Sequence, residues 1–332
     1  MPRVSVVIPL YQTERYIALS LGSVLAQSFR DFEVIVVDDG SSDKGPEIAR
    51  STGDPRVRVV TQQNRGLAGA RNTGIRESKG EYVGFLDADD LWTPCKLEAH
   101  VRLLDSDPAI GLTFSASELI DDDGASIGLV QRPKSEAFTP EHVFCRNPVG
   151  NGSAPVIRRA VFDDIAFHDA ALDRVCWFDE SFRQSEDIEC WTRIVTTGKW
   201  KLALVEEALT RYRVASGGLS ANVEKQLATW RRFRAKVKNY APALEATTGD
   251  LAEAYQLRYL ARRAVRSSDG STALKLMIAA LKSDWTIMRR EPSRTFVTLA
   301  AAVARRLLPG RLFGALERAA IGATARVSAL RP

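Results

Sequence analysis

The stretch EYVGFLDADDLWTP, residues 81–94, decides the fold. Tyr82 to Leu86 is a short apolar run of the kind that forms a strand buried inside a sheet. It ends abruptly in three carboxylates, Asp87, Asp89 and Asp90, which repel one another unless a positive group lies among them. A hard divalent cation that also holds a phosphate fits this need, because Mg²⁺ and Mn²⁺ prefer oxygen ligands and use few carboxylates in such sites. A solvated acidic turn is the alternative.

Length and composition describe an ordinary globular protein. The chain has 332 residues, enough for one large core or two domains, with 45% apolar and 26% charged residues. Met1 to Arg3 leads straight into a strand-like run, so we expect no signal peptide, and no apolar stretch approaches the ~20 residues of a membrane span. The four cysteines, without a Cys-x-x-Cys pair, suit a reducing cytoplasm and argue against structural zinc. We therefore expect a cytoplasmic protein.

Charge is distributed unevenly along the chain. Residues 223–332 hold 21 Lys and Arg against 8 Asp and Glu, whereas residues 1–222 hold 25 against 33. An acidic first part joined to a basic tail indicates two functional parts. We accordingly predict one domain over residues 1–221 and a basic helical region over residues 222–332.

Four buried strands alternate with helical segments in the first ninety residues. The strands are predicted at Val4–Leu10, Phe32–Val37, Arg56–Thr61 and Tyr82–Leu86. This alternation predicts an α/β fold, with a mixed, mostly parallel sheet flanked on both faces by helices. Ligands bind such sheets at the carboxyl ends of strands. Both acidic clusters, Asp38-Asp39 and Asp87 to Asp90, directly follow predicted strands.

The pattern after residue 95 is coarser. Strands are predicted at 111–119, 154–158, 201–205 and 209–214, with a hairpin turn at Asp121 to Gly124. Ser185 is predicted to cap a helix whose first turn, residues 186–189, is acidic, because carboxylates are stabilised at the positive end of a helix. From about residue 222 the periodicity is helical throughout. Four to six helices are predicted there, from breaks at Pro242, Gly249, Gly270, Pro292 and Pro309.

Six motifs in this order resemble the family 2 glycosyltransferases of the GT-A fold. They are VSVVIPLY, VIVVDDGSSD, NRGLAGARNTGI, YVGFLDADDLWTP, FDESFRQSEDIECWTRI and YRVASGGLS, and they cover roughly residues 3–220. Each motif alone is weak, but their order and gaps are specific. The resemblance implies a metal-dependent, inverting transfer of a sugar from a nucleotide-sugar, with UDP as the expected nucleotide. The implied acceptor is a hydroxyl of a glycan or lipid-linked molecule, in the synthesis of cell-surface polysaccharide or glycolipid.

The same resemblance implies a nucleotide site after the first two strands. Asp39 matches the carboxylate that accepts the N3–H of uracil, Tyr11 lines or stacks on the ring, and Arg71 lies near the base. A surface helix arginine is the alternative for Arg71. Asp38 either joins the nucleotide site or is a structural group at the end of the strand. The remaining nucleotide-binding positions that the resemblance implies are Pro9 and Ala88.

The metal and the base follow from the later motifs. Asp87 resembles the carboxylate that reaches the ribose or the metal's outer shell, and Asp89 resembles the direct ligand of Mn²⁺ or Mg²⁺. Such a metal would bridge the two phosphates and stabilise the departing nucleoside diphosphate. Asp187 resembles the general base, and Glu186 is its rival for that role or a group that orients the substrate. Asp90 is expected to cap the following helix.

One position departs from the family pattern. Many relatives have a histidine near the metal after the last strand, where this chain has Ala215. This difference leaves three consequences open. The metal is bound more weakly, or a water or Arg213 takes the place of the histidine. Alternatively, the chain is a degenerate copy that only binds nucleotide or scaffolds an assembly. A nucleotidyltransferase acting on a sugar phosphate is a further alternative, although the loop after the first strand lacks the glycine and lysine usual in those enzymes. No Gly-x-Gly-x-x-Gly follows that strand, which argues against hydride transfer.

The basic tail predicts a partner. Thr295–Leu308 and Leu312–Val327 combine apolar faces with arginines, as do helices that lie on anionic membranes without spanning them. On this interpretation the protein is peripheral, on the cytoplasmic face of a membrane. The alternative is a helical bundle with a solvated basic face. We expect no binding to nucleic acid, because no recognition motif accompanies the charge.

Overall fold

The structure, a computed structural model, describes residues 1–133, 138–214, 223–308 and 312–313. The chain divides into two compact units, Met1–Ala221 and Asn222–Pro332. Ala215 lies outside the described residues, as do the predicted break at Pro309 and most of the second predicted amphipathic segment.

The first unit is built on a mixed sheet. Its strands are β1 (Val4–Leu10), β2 (Phe32–Asp38), β3 (Val57–Thr61), β4 (Tyr82–Phe85), β5 (Leu91–Trp92), β6 (Ile110–Ile120), β7 (Ser126–Gln131), β8 (Pro155–Arg158), β9 (Phe167–Asp169), β10 (Arg174–Cys176) and β11 (Lys201–Arg213). The main sheet has the order β3-β2-β1-β4-β8-β6-β11-β5, with β7 paired to β6, and β9 and β10 form a separate hairpin.

Parallel pairing joins β1 to β2 and β4, β2 to β3, and β6 to β11, and these pairings contain most of the paired residues. Strands β5, β7 and β8 pair in the antiparallel direction. The predicted mixed, mostly parallel sheet is therefore confirmed.

The described helices of the first unit are α1 (Ile17–Leu25), α2 (Gly45–Arg50), α3 (Gly66–Glu77), α4 (Lys96–Ser106), α5 (Pro140–Arg146), α6 (Arg159–Ile165) and α7 (Glu186–Thr196).

Two core clusters lie on opposite faces of the sheet, because successive side chains of a strand point in opposite directions. In β1, Val7 belongs to one cluster, together with side chains of α3 and α7. Its neighbours Val6 and Ile8 belong to the other, together with side chains of α1 and α4. Helix α3 packs closely on β1: a Cβ added at Gly74 would lie 2.1 Å from Val7 Cγ1. This packing sets the start of α3 beside the carboxyl ends of β1 and β2.

The second unit is helical. Its described helices are α8 (Val223–Tyr240), α9 (Pro242–Arg266), α10 (Gly270–Ser283), α11 (Ile287–Arg290) and α12 (Pro292–Leu307), a number within the predicted range. Within this unit Arg258 is fully buried and donates to Glu291 and to Thr295 Oγ1. Across the part of the chain that the structure describes, no helix combines the length and the apolar character that crossing a bilayer requires.

Two predictions about element boundaries are wrong. The segments predicted as two strands, 201–205 and 209–214, form the single strand β11, whose register with β6 shifts between Val205 and Thr210. The polar pair Glu206-Glu207 interrupts the apolar pattern without ending the strand. Gly249 does not break a helix either, because it lies inside α9, where an added Cβ would come within 2.8 Å of an Arg234 nitrogen.

Candidate active site

The loops that follow β1 and β2 are joined to each other at the carboxyl edge of the sheet. Asp39 N donates to Leu10 O at 2.9 Å. Gln12 reaches the same loop, donating from its backbone to Ser41 Oγ at 3.3 Å and from its side chain to Ser42 Oγ at 2.7 Å. Tyr11 projects from this edge with 51% of its surface exposed, whereas Pro9 is buried and pairs in register with Val37. An exposed ring beside two tied loops is a suitable platform for a flat base.

Asp38 and Asp39 have different surroundings. Asp38 Oδ1 accepts from Ser41 N at 2.9 Å, which closes the turn after β2 and favours the structural alternative for this residue. Asp39 accepts from the backbone nitrogens of Arg65 and Gly66, each at 2.8 Å, and from Gln62 at 2.6 Å. The two backbone donors lie at the positive end of α3. A carboxylate has about four acceptor sites, so Asp39 retains room for one more donor.

Arg71, in the middle of α3, is fully buried among carboxylates. Its Nη2 donates to Asp87 Oδ1 and its Nη1 to Glu186 Oε1, both at 2.8 Å. Burial alone would lower the pKa of Arg71, but Asp87 and Glu186 raise it above its ordinary value. The guanidinium therefore stays charged, and both of its terminal nitrogens are engaged by the protein rather than by a ligand.

The loop of residues 86–90, between β4 and β5, is held from several sides. Asp87 N donates to Ser153 Oγ at 2.9 Å, and Ser153 Oγ donates to Asp90 Oδ2 at 2.6 Å. Arg213 N donates to Asp90 Oδ1 at 2.8 Å, and Arg213 Nε donates to Asp89 O at 2.7 Å. Ala88, between the two carboxylates, is buried. The main chain of the loop is thus held by Ser153, in the segment before β8, and by Arg213, at the end of β11.

The prediction that Asp90 caps the following helix is wrong. Helix α4 begins at Lys96, its N-cap position is Cys95, and no side chain caps it. Asp90 is fully buried, and burial raises the pKa of its carboxyl well above the ordinary value, with Asp89 and Asp87 adding to the rise. A buried carboxyl requires hydrogen-bond partners, and Asp90 finds them in Ser153 and Arg213 instead of in a helix terminus.

Asp87 and Asp89 suit a divalent cation. Burial and the neighbouring charge of Asp87 raise the pKa of the Asp89 carboxyl to about 6. Arg71 holds one oxygen of Asp87. Among the described residues no group of three or more His, Cys, Asp or Glu side chains forms a metal site. A pair of carboxylates is what Mg²⁺ or Mn²⁺ uses when phosphate oxygens and waters complete its shell.

Helix α7 presents two carboxylates at its start. Burial raises the pKa of Glu186 to about 7, against the opposing charge of Arg71. Burial also raises the pKa of Asp187, whose Oδ2 accepts from Asn147 Nδ2 at 3.3 Å. Ser185 occupies the N-cap position but makes no side-chain cap, so that prediction is wrong. Its backbone is left-handed, with φ at 65°, whereas capping serines have extended backbone.

The Tyr212 hydroxyl lies close enough to the carboxylates of both segments for their charges to affect its pKa. Burial raises the pKa of Tyr212 above its ordinary value, and nearby carboxylates add to the rise: Asp90, Asp87, Asp89 and Asp187. Asp89 and Asp187, which the sequence assigned to the metal and to the base, therefore lie in one electrostatic neighbourhood. The structure brings the candidates after β4 and at the start of α7 together through Arg71, and it groups Tyr11, Asp38 and Asp39 at the ends of β1 and β2.

Three residues of this site were not predicted. Ser153 supports the loop of residues 86–90, Asn147 contacts Asp187, and Gly152 lies against the Arg71–Asp87 pair. All three fall in the stretch NPVGNGS, residues 147–153, which directly precedes β8. Small and polar residues before a buried strand were the available signal, since they allow close approach and hydrogen bonding at a strand end.

Residues 5–165 match the family model described as Glycosyl transferase family 2. An uncharacterized glycosyltransferase of Rickettsia typhi is 28% identical over 71% of this chain and 73% of its own length. The chain spans only about a third of the length of other relatives that it matches, 31% for one from Rickettsia felis and 34% for one from Rickettsia bellii.

Other relatives have more specific descriptions. The Escherichia coli protein UDP-Glc:alpha-D-GlcNAc-diphosphoundecaprenol beta-1,3-glucosyltransferase WfgD is 27% identical over 68% of this chain and 82% of its own length. A crystal structure of S. aureus TarS in complex with UDP-GlcNAc has a TM-score of 0.60 at 19% identity, covering 92% of both chains. The mannosyltransferase PcManGT from Pyrobaculum calidifontis, in complex with GDP-Man and Mn²⁺, has a TM-score of 0.59 at 22% identity, covering 92% of this chain and 86% of its own. The shared fold confirms the predicted GT-A class.

Proposed function

Since this chain belongs to glycosyl transferase family 2, we propose that it is a metal-dependent, inverting enzyme that moves a sugar from a UDP-sugar to an acceptor hydroxyl. The observation that supports this most is the Arg71 bridge. It joins Asp87, in the loop proposed to bind the metal, to Glu186, the neighbour of the proposed base Asp187. Donor activation and proton removal must occur within a few ångströms of one sugar carbon, and this bridge brings the two sets of carboxylates together.

UDP is the proposed nucleotide. Asp39 is anchored by α3 and retains an acceptor site for the N3–H of uracil, with Tyr11 exposed beside it. Pro9 and Ala88 complete the proposed nucleotide-binding set, and Asp38 supports it by closing the turn that follows β2. The Escherichia coli relative is described as using UDP-Glc, and TarS was crystallised with UDP-GlcNAc. The solved structures include both nucleotides, since PcManGT is in complex with GDP-Man, so the description of the Escherichia coli relative is the main support for UDP.

Asp89 is the proposed direct ligand of Mn²⁺ or Mg²⁺, with Asp87 beside it. When bound, the ion supplies positive charge that stabilises the diphosphate leaving group. The protein's own part is to fix the ligands in advance, through Ser153 at Asp87 N and Arg213 at Asp89 O. The Mn²⁺ in the PcManGT complex supports this assignment.

Asp187 is the proposed general base. The acceptor oxygen forms a bond to C1 of the sugar while the bond from C1 to the diphosphate oxygen breaks, and the acceptor's proton passes to the Asp187 carboxylate. This single displacement inverts the configuration at C1. Asn147 orients the carboxylate, and burial raises the pKa of Asp187 toward neutrality, which favours proton acceptance. Glu186 is held by Arg71 and is the less available of the two.

The donor proposal predicts a ligand preference. UDP together with Mn²⁺ should raise the melting temperature of the full chain, because a ligand at 100 times its Kd stabilises the native state by about 2.7 kcal/mol. UDP with EDTA, and GDP with Mn²⁺, should each give a clearly smaller rise. Differential scanning fluorimetry with a panel of nucleotides and nucleotide-sugars makes the measurement. The proposal would be refuted if, in the presence of Mn²⁺, no nucleotide of the panel changed the melting temperature.

A lipid-linked acceptor and an anionic membrane surface are the proposed partners. The support comes from α12, which exposes its large apolar side chains and buries small ones. Its buried side carries the small residues Thr295, Thr298 and Ala302. Its outward side carries Phe296 and Leu307, which are 63% and 73% exposed, with Val303 between them on the same stripe. The helix carries three arginines, Arg294, Arg305 and Arg306, and no acidic residue, as expected for a helix that lies on anionic lipid.

Flotation with liposomes tests the membrane proposal. The full chain should float with vesicles that contain anionic lipid, and high salt should weaken the binding because it screens the arginines. The double variant Phe296→Glu, Leu307→Glu should lose most of the floating fraction. Leu19→Glu, which changes a leucine of α1 that is 57% exposed, is the control and should float like the wild type. If the double variant floats normally, α12 is not the membrane-binding element.

A further inference from the structure

We infer that Arg71 is a positioning residue, which fixes Asp87 of the loop of residues 86–90 and Glu186 of α7 relative to each other. The inference deepens the proposed function and rests on it for its catalytic meaning. It differs from a role for Arg71 at the nucleotide base. The link itself is a property of the folded chain and can be measured without a substrate.

Both terminal nitrogens of the Arg71 guanidinium take part in the link. One terminal nitrogen of Arg71 binds Asp87 and the other binds Glu186, both at 2.8 Å, so the rigid plane of the guanidinium sets the spacing of the two carboxylates. The partners are remote in sequence, since Glu186 is 115 residues from Arg71. Arg71 thus connects the two segments directly through its side chain.

Arg71 is held tightly enough to serve as a fixed reference. Its side chain is 2% exposed, and its guanidinium lies 5.6 Å from the centre of the Phe178 ring. Gly152 closes the other side: a Cβ added there would lie 2.0 Å from Arg71 Nη2 and 3.2 Å from Asp87 Oδ2. The glycine is required because the backbone passes directly against the ion pair. A side chain at position 152 would push Arg71 away from Asp87.

The consequence for the reaction concerns alignment. Without Arg71, Asp87 and Glu186 are two partly buried carboxylates that repel each other, and the loop and the start of α7 are free to separate. A displacement of about 1 Å between reacting groups costs about 10²-fold in rate. Arg71 therefore contributes by keeping the donor side and the base side of the site in register, without touching either substrate.

Arg71→Lys is the sharpest variant, because it keeps the charge and removes the planar fork. Hydrogen exchange of the ligand-free full chain should become about tenfold faster in two segments at once, residues 86–90 and 185–189. The matched control is Arg258→Lys, which makes the same change at an equally buried arginine that pairs with Glu291 in the second unit. The control should leave both segments unchanged. Faster exchange in only one segment, or in neither, would overturn the inference.

Gly152→Ala is an independent variant that leaves Arg71 chemically intact. The added methyl group should displace the guanidinium and speed exchange in the same two segments. If instead only the residues adjoining position 152 respond, the link does not run through Arg71. Should either variant fail to fold, the other still decides the question.

A functional arm separates this inference from the proposed function. With UDP and Mn²⁺ as probe, calorimetry should show about tenfold weaker binding for Arg71→Lys than for wild type, and kcat for transfer should fall about 10²-fold. If wild type does not bind UDP with Mn²⁺, the proposed donor is wrong, while the exchange experiment still tests the link. If wild type binds and Arg71→Lys matches it in both affinity and kcat, the positioning role is wrong.

Discussion

Asp187→Asn should lower kcat for sugar transfer by about 10³-fold while leaving the Mn²⁺-dependent affinity for UDP close to wild type. The amide has nearly the shape of the carboxylate and can still contact Asn147, but it cannot take the acceptor's proton. Transfer is measured as release of UDP from the donor in the presence of acceptor, and binding by calorimetry. The separation of rate from affinity is what distinguishes a base from a donor-binding group.

Glu186→Gln is the matched control for this prediction. It makes the same chemical change one residue earlier and should cost less than Asp187→Asn, because Arg71 already engages that side chain. The pH dependence supplies a second readout. Only the deprotonated form of Asp187 accepts a proton, so the wild-type rate should fall as the pH drops through its raised pKa. Transfer by Asp187→Asn at the wild-type rate would remove this residue from its role.

Asp89→Ala should weaken binding of UDP in the presence of Mn²⁺ by about 100-fold, which corresponds to about 2.7 kcal/mol. Without metal the variant and the wild type should bind UDP alike, because the lost carboxylate acts on the ion. The pKa of the Asp89 carboxyl is raised to about 6. Below that pH a proton competes with the ion, so the metal-dependent part of UDP binding should decline as the pH falls further. Calorimetry with Mn²⁺ and with EDTA separates the two contributions.

Asp123→Ala is the control for the metal prediction. Asp123 is an exposed carboxylate in the turn between β6 and β7, where it pairs with Arg15. Its removal changes the charge of the first unit equally and should leave metal-dependent binding of UDP unchanged. Equal affinity of Asp89→Ala and wild type for UDP with Mn²⁺ would contradict the assignment of Asp89 as the ligand.

Much of the fold could be predicted from the sequence because its long strands are also its most apolar segments. Val4–Leu10 is a β-branched run, and β1 has these limits. The short strands β5, β9 and β10 escaped prediction, since two or three residues carry no periodicity. Strand β7 escaped because all its residues are exposed. Such strands form where a partner strand is available, which local sequence does not record.

The sequence allowed most candidate site residues to be identified, but it did not allow their hydrogen-bond and ion-pair partners to be predicted. Asp87 and Asp89 could be singled out because carboxylates at the end of a buried strand are a local feature, and Asp187 was singled out by its resemblance to the family motif. The cap assigned to Asp90 failed because its partners, Ser153 and Arg213, are 63 and 123 residues away. Arg71 shows the same limit: its sequence context suggested a ligand, and only the fold reveals that two carboxylates already hold it. Assigning such pairs requires tertiary structure.

The position of β11 has a consequence for how this protein is made. Strand β5, which closes the loop of residues 86–90, pairs with Thr210 and Arg211 of β11. The loop therefore cannot be closed until residue 213 has been synthesised, more than a hundred residues after the loop itself. At about 5–20 residues per second this delay is on the order of ten seconds. During that interval the nascent chain carries an unfinished sheet with unpaired strand edges, which are the parts of a sheet most prone to pair with other chains.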